Sequence, residues 1–374
     1  MIGEERTGLT IIDTLIQQNK PFAIYRIPGK REAALLVADD SGVRVLHDLS
    51  ELNGRRGFVI APFHSSDSCP IVLIEPEAPH ISIPIEMDEG ECGTEDHPFT
   101  IDSLSSPCDK NYKAHFELFI DALHSGVFDK LVLSRCLVED KKEEFSLTTL
   151  FRTACGLYIH SYIYLCYTPQ TGIWFGSTPE VILSGNRDEW RTVALAGTQP
   201  LQNGHLPESW DDKNRAEQEY VASYIRSQLL SFGIQAAENG PYSAYAGALS
   251  HLKTDFRFQL TDGGKLGDLL RLLHPTPAVC GLPKGEAYRF ILYNEGYDRR
   301  YYSGFIGWID PAGATDLFVN LRCMNIDKKK LTLYAGGGLL ASSDLNDEWQ
   351  ETEKKLQTMK RILSPTSWHM RNTQ

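Results

Sequence analysis

The 374-residue sequence has no Cys-x-x-Cys pair, no basic stripe, no apolar run long enough to span a bilayer, and no repeat or low-complexity tract. Each absence removes a class of protein. The eight cysteines, Cys69, Cys92, Cys108, Cys136, Cys155, Cys166, Cys280 and Cys323, are scattered and have no Cys/His spacing suited to zinc. They read as reduced thiols, and Cys136, Cys166 and Cys323 fall inside apolar runs where a thiol packs as a small hydrophobe. A net charge of −12 without clustered Lys and Arg argues against nucleic acid as a partner. An anionic small substrate stays open if positive charge is gathered locally. "MIGEERTGLTIIDTLIQQNK" lacks the basic-then-apolar layout of a signal peptide, so the expectation is a cytoplasmic protein with no membrane partner. What is present, 42% hydrophobic and 23% charged residues, is globular in composition and excludes a disordered chain.

Up to about residue 100, short strand-like runs ("FAIYRI", "AALLVA", "GFVIAPF", "CPIVLI") alternate with turns and end in an acidic stretch, "EMDEGECGTEDHP", read as a mobile loop. From there the signals sharpen. An amphipathic helix in "NYKAHFELFIDALHSG" precedes the strand "KLVLSRCLV", a helix near "LTTLFRTACG", and the strands "SYIYLCYT", "GIWFGST" and "EVILSG". After a turn expected at "LAGTQPLQNG", apolar residues at Tyr220, Val221, Tyr224, Ile225, Leu229 and Leu230 predict a helix over "DDKNRAEQEYVASYIRSQLLSFG". Three further strands are predicted in "RRYYSGFIGWID", "ATDLFVNLRCMNI" and "KKLTLYAGGG", followed by a helix from about Asn346. Blocks of strands and helices in this order indicate an α+β fold with antiparallel strands and helices on the outer face.

On that last helix, in "DEWQETEKK", Glu348, Glu351 and Lys355 share one face. An isolated Glu/Lys helix reads as a solvated i,i+4 pair. Trp349 and the three glycines just upstream are unusual for an inert surface, because glycine lets a backbone approach a ligand with exposed amides. The helix beginning "KNRAEQE" offers Glu217 and Glu219. If the two helices face each other, their carboxylates present oxygen to a hard cation such as Mg²⁺.

"KLVLSR", "GSTPEVIL", "LAGT", "KNRAEQEYV", "LLHPTPAVCGLP", "DRRYYSGFIGW", "LFVNLRC", "YAGGG" and "EWQETEKK" follow one another across residues 110 to 362. In this order they resemble the chorismate-utilising enzymes, a superfamily that includes isochorismate, anthranilate, aminodeoxychorismate and salicylate synthases. The resemblance implies one α+β domain over residues 1–374, with 110–362 as catalytic core and 1–100 less clearly matched. Antiparallel sheets would stack face to face, flanked by helices, with a cleft between them. It also implies one Mg²⁺, with Glu217 and Glu351 as direct ligands and Glu348 helping through water.

The same matching implies roles. Lys130 stands where the water-using members carry a lysine and the ammonia-using members usually carry glutamine. It would act as general base on water attacking C2, which requires a neutral amine and therefore burial near positive charge. Glu180 matches the general acid that protonates the departing C4 hydroxyl, which requires a raised pKa. Ala196 fills a position where aminodeoxychorismate synthases often present a nucleophilic lysine, which argues for direct attack by water. Arg322 resembles the arginine that grips the enolpyruvyl carboxylate, and Gly336, Gly337 and Gly338 the amide-rich turn that assists it. Lys355 looks like a further substrate contact, Gly197 and Thr198 would hydrogen-bond near the departing hydroxyl, and His274 and Tyr302 would line the cleft. For His274 a structural role is equally open. Gln218 departs from the usual His or Asn. The implied activity is conversion of chorismate to isochorismate, for menaquinone or siderophore synthesis, by a monomer with no amidotransferase subunit. The rival is salicylate synthesis, and a catalytically silent scaffold has no need of Lys130, Glu180, Glu217 and Glu351 together.

Overall fold

The computed structural model describes residues 8–85 and 108–364, apart from 203, 204, 247, 248 and 261. The acidic stretch after residue 85 lies outside them. Seven α-helices are described: α1 Ile11–Gln17, α2 Lys110–His124, α3 Leu147–Leu157, α4 Asp212–Ser231, α5 Leu266–Leu273, α6 Lys284–Asn294 and α7 Leu345–Leu363. Four begin where an acidic or hydroxyl side chain accepts from the first free amides: Asp109 for α2, Ser146 for α3, Asp211 for α4 and Asp344 for α7.

The strands form two nine-stranded sheets in which every pairing is antiparallel. In spatial order the first sheet runs Gly281–Leu282, Lys130–Asp140, Lys330–Leu339, Cys323–Ile326, Gly172–Thr178, Tyr162–Thr168, Phe22–Arg26, Glu32–Val37, Ile81–Pro84. The second runs Ala237–Ala246, Leu249–Phe258, Trp190–Pro200, Val181–Gly185, Thr315–Val319, Phe305–Ile309, Gly57–Ala61, Ile71–Ile74, Val43–Leu46. The early strands are not a separate unit. Phe22–Arg26 pairs with Tyr162–Thr168, and Gly57–Ala61 pairs with Phe305–Ile309.

Burial follows the two-residue period of a strand. Ala23, Tyr25, Phe58, Ile60, Tyr162, Tyr164 and Trp174 fill the layer between the sheets. Their neighbours Phe22, Ile24, Ile163 and Leu165 face α1, α3 and α7, while Val59, Ala61, Leu183 and Ala194 face α4 and α5. Helices α2 and α6 cover Leu131, Leu133 and Leu339. Both sheets are thus apolar on both faces, which produces the four-layer α/β/β/α packing that the α+β reading anticipated.

Three local expectations differ. "LAGTQP" is not a turn but the end of strand Trp190–Pro200, which carries a bulge between Ala196 and Thr198. "DLFVNLRCMNI" is two strands in different sheets, broken at Arg322, whose φ is 47°. The three glycines lie inside strand Lys330–Leu339, paired with Leu133, Val132 and Ser134, rather than in a turn. The long hairpin Ala237–Ala246 and Leu249–Phe258 was not anticipated at all.

Candidate active site

A cavity opens between the sheets beside α4 and α7. Its apolar wall includes Val132, Leu195, Val279, Leu321 and Tyr334, and its polar lining includes Glu180, Thr198, Glu217, His251, Tyr302, Arg322 and Lys355. Small residues Ala196, Gly197, Gly336 and Gly338 complete it.

Arg322 reaches the cavity because its left-handed backbone turns the chain from one sheet into the other. Its carbonyl accepts from Ser177 N at 3.0 Å. Its guanidinium makes no hydrogen bond or ion pair among the described residues, and burial lowers its pKa. A desolvated, unpaired guanidinium is suited to an incoming carboxylate. Lys355, one turn beyond Glu351, donates to Gly336 O at 2.9 Å and to Glu351 Oε1 at 2.5 Å.

Glu180 follows Pro179 at the start of strand Val181–Gly185. Burial pushes its carboxyl up to about 8 against the opposing fields of Lys130, Lys355 and Arg322. It is therefore mostly protonated at neutral pH, as an acid would need to be. Lys130 is fully buried at the start of its strand and does not itself line the cavity. Its Nζ sits 2.8 Å from Glu217 Oε1, beneath Gly338. The charged group in contact with it is a carboxylate, not the cation that a lowered pKa was expected to require.

The bulge at Gly197 is built from below. Asp211, the cap of α4, accepts from Asn214 N at 2.8 Å and from Asn214 Nδ2 at 2.7 Å, and Asn214 Oδ1 accepts Thr198 N at 2.8 Å. Gly197 has φ 75°, and a Cβ there would stand 2.8 Å from Asn214 O, so only glycine fits. Thr198 Oγ1 in turn lies 3.2 Å from His251 Nδ1, which is 3.0 Å from Gly197 O. Burial, helped by Arg322 and Lys355, pushes His251 down to about 3, so it is neutral. His251 escaped the sequence reading because its hairpin is polar and interrupted by Gly240-Pro241. Gln218 packs against the same strand, donating to Thr254 Oγ1 at 2.9 Å.

Glu217, Glu348 and Glu351 are brought together by α4 and α7, each in contact with a lysine. Lys130 meets Glu217, Lys355 meets Glu351, and Lys213 donates to Glu348 Oε1 at 2.6 Å. Glu348 Oε1 also accepts from Ser343 Oγ at 2.7 Å, while its buried Oε2 has no hydrogen-bond partner among the described residues. Burial and the neighbouring Glu351 raise the Glu348 pKa; at Glu351 burial is outweighed by Lys355, and the pKa is lowered. No group of three potential ligands is gathered around one point among the described residues. The orphaned buried Oε2 of Glu348, on α7 with Glu351 and opposite Glu217 of α4, is an oxygen of the kind a hard cation takes.

The glycine triplet serves this cluster by lacking side chains, not by offering a turn. A Cβ at Gly337 would stand 2.9 Å from Glu348 Oε2, and one at Gly338 would overlap the Glu217 carboxylate. One at Gly336 would stand 2.9 Å from the Tyr302 hydroxyl.

Other expected participants lie elsewhere. His274 does not line the cavity. It opens on a second one with Phe63, Arg271, Lys284 and Tyr288, where its Nε2 meets Pro62 O at 3.0 Å and burial pushes it down to about 3. The cause is the peptide course after α5, which turns the ring toward Pro62 and the edge of Phe305. Trp349 points to α2, stacking edge-on with Tyr112 and under Arg135. Glu219 is exposed and bonds to Ser223 Oγ. The seven described cysteines are free thiols, and burial pushes Cys155 and Cys280 up to about 12, which leaves them poor nucleophiles.

The family model described as chorismate binding enzyme matches residues 85–364, most of the chain. The chain belongs to the chorismate-binding enzymes. Among curated proteins it is 30% identical over 312 residues to isochorismate synthase DhbC of Bacillus subtilis (strain 168), covering 78% of this chain and 77% of that one. Among solved structures it superposes on the putative 2,3-dihydroxybenzoate-specific isochorismate synthase DhbC of Bacillus anthracis with a TM-score of 0.76 at 23% identity, over 94% of this chain and 99% of that one. It also superposes on anthranilate synthase component I of Streptococcus pneumoniae TIGR4 with a TM-score of 0.64 at 18% identity, over 91% and 90%. At those identities the two structures attest the fold: two antiparallel sheets with flanking helices, shared by the chorismate-binding enzymes.

Proposed function

We propose that the chain is an isochorismate synthase: it adds water at C2 of chorismate and loses the C4 hydroxyl, reversibly, with a shift of the ring double bonds. The observation that carries this reading is Glu180, a buried carboxyl kept protonated to about pH 8 at the wall of a cavity that also presents the unpaired Arg322. A hydroxyl leaves a ring readily only as water, so the site needs a proton held at neutral pH. Glu180 supplies it. Lys130 can take the proton from the attacking water only once Glu217, its carboxylate partner in this structure, is engaged elsewhere and the amine is neutral. One water enters and one departs, so no oxidant or second substrate is required.

The remaining residues bind. Arg322 takes the enolpyruvyl carboxylate, Lys355 lies beside the position of the ring carboxylate, and Thr198, fixed by Asn214 and His251, hydrogen-bonds near C4. Tyr302 and Gly336 shape the floor. Glu217, Glu351 and Glu348 are the residues that would hold Mg²⁺, which when bound neutralises a substrate carboxylate. Ala196 leaves no amine to attack C2, and water as nucleophile needs no amidotransferase subunit. We therefore place the protein as a cytoplasmic stand-alone enzyme and monomer. Its product would feed a catechol siderophore or menaquinone. No described helix is long and apolar enough to cross a membrane.

The test is to incubate the protein with chorismate and Mg²⁺, with and without ammonium, and to separate the products by chromatography. Isochorismate alone is expected. Salicylate with pyruvate would replace this reading with salicylate synthesis, an ammonium-dependent amino product would remove Lys130 from its role, and no conversion would leave a silent scaffold.

A further inference from the structure

We propose that Lys213 is an internal counter-cation of the carboxylate cluster: its ammonium holds Glu348 when no divalent ion is bound and, by its charge, opposes binding of that ion to the cluster. The proposal rests on the reading that Glu217, Glu348 and Glu351 hold a divalent cation.

Lys213 sits in the first turn of α4, where the helix dipole disfavours a cation. Something must compensate for that placement. Its Nζ donates to Glu348 Oε1 at 2.6 Å, across to the first turn of α7, and its charge also acts on Glu351 and Glu217. From the side of α4 its charge therefore reaches all three carboxylates. Carboxylates of α4 and α7 facing one another repel without a cation between them.

The other two lysines of the cluster are poorly placed to yield. Lys130 is fully enclosed, and Lys355 is tied to Gly336 O as well as to Glu351. The Lys213 side chain is 31% exposed and has a single hydrogen-bond partner, so its ammonium can swing to water when a divalent ion binds beside it. That withdrawal is a cost charged against ion binding. Removing the ammonium should therefore tighten the ion, the opposite of what loss of a merely structural contact would do.

The experiment is a titration of Mn²⁺ into chelator-stripped protein, followed by electron paramagnetic resonance of the free ion, for wild type, Lys213→Met and Lys213→Gln. Melting is recorded in parallel, in EDTA and at saturating Mn²⁺. The variants should bind Mn²⁺ at least tenfold more tightly. They should melt below wild type in EDTA and match it once the ion is bound. Equal or weaker Mn²⁺ affinity in either variant that melts cooperatively would overturn the role of Lys213. If wild type binds no Mn²⁺ that Glu351→Ala abolishes, the cation reading itself fails and the proposal falls with it. If Lys213→Met does not fold, Lys213→Gln, which keeps a polar partner for Glu348, carries the measurement.

Discussion

Replacing Glu180 by Gln tests the chemistry most directly, because the structure sets both a rate and a stability consequence. Burial raises the carboxyl from 4.5 to about 8, over the opposing fields of Lys130, Lys355 and Arg322. At pH 7 about nine-tenths of the enzyme then carries the proton, and above pH 8 the competent fraction falls about tenfold per unit. A bound dianion moves the limb to higher pH, and a bound divalent cation acts the other way. Turnover at saturating chorismate should therefore hold through neutrality and decline in alkali. Glu180→Gln should lose about 10²- to 10⁴-fold, the usual worth of a positioned acid, and its residual rate should lack that limb. The sign for stability follows from the same shift. The folded pKa lies above the unfolded one, so the contribution is fully present below about pH 4.5 and is lost as pH rises through about 8. Within that window wild type loses about 1.4 kcal/mol per pH unit from this group. The Gln variant does not, so it should gain on wild type from pH 5 to 8 in urea unfolding. Parallel pH profiles of stability, or an alkaline limb that persists in Glu180→Gln, would refute the assignment.

The glycines and the buried polar groups give sharper contrasts between stability and activity. Gly338→Ala should cost about 1–3 kcal/mol in urea unfolding as well as more than tenfold in turnover, because its Cβ would overlap the Glu217 carboxylate and press on the enclosed Lys130; normal stability and turnover would show that the contact does not matter. Glu295 accepts Ser134 N, Ser134 Oγ and two Arg299 nitrogens at 2.5–2.7 Å in a fully buried pair, so Glu295→Ala should cost about 3–5 kcal/mol in urea unfolding. A loss below 1 kcal/mol would mean that the pair relaxes into water. His274→Ala should keep turnover within about threefold and lose about 1 kcal/mol with its bond to Pro62 O; a hundredfold fall in turnover at unchanged stability would return His274 to the site.

Legibility in the sequence tracked how much a side-chain pattern depends on its own element. The runs "FAIYRI", "GFVIAPF" and "SYIYLCYT" are buried on both faces, and α4 and α7 carry their apolar stripe within one helix, so periodicity alone located them. Glu217, Glu348 and Glu351 could be placed on their helices, but the spacing could not show that the helices meet. That depended on matching the blocks to a known order. The hairpin Ala237–Ala246 and Leu249–Phe258 resisted because, among its described side chains, only Leu252, Phe256 and Phe258 are buried and apolar, and with it went His251. Lys213 was passed over for a related reason. In sequence it is one charge among several in "DDKNRAEQE", and its partner Glu348 is 135 residues away.

The misread strand "DLFVNLRCMNI" shows why the site forms where it does. Read as one strand, it would place Arg322 on a sheet face with alternating neighbours. The chain instead leaves the second sheet at Val319, whose amide donates to Glu180 O at 2.8 Å, and enters the first at Cys323. Asn320 pins the crossing: its Oδ1 accepts from Tyr164 OH at 2.5 Å, its Nδ2 donates to Tyr301 O at 2.8 Å, and its amide donates to Gly304 O at 2.8 Å. Those bonds offset the left-handed strain at Arg322. Only a segment passing between stacked sheets can hold a guanidinium in the gap while its backbone fixes the loop bearing Glu180. The crossing thus couples the proposed carboxylate grip to the proposed acid through three residues of one chain segment.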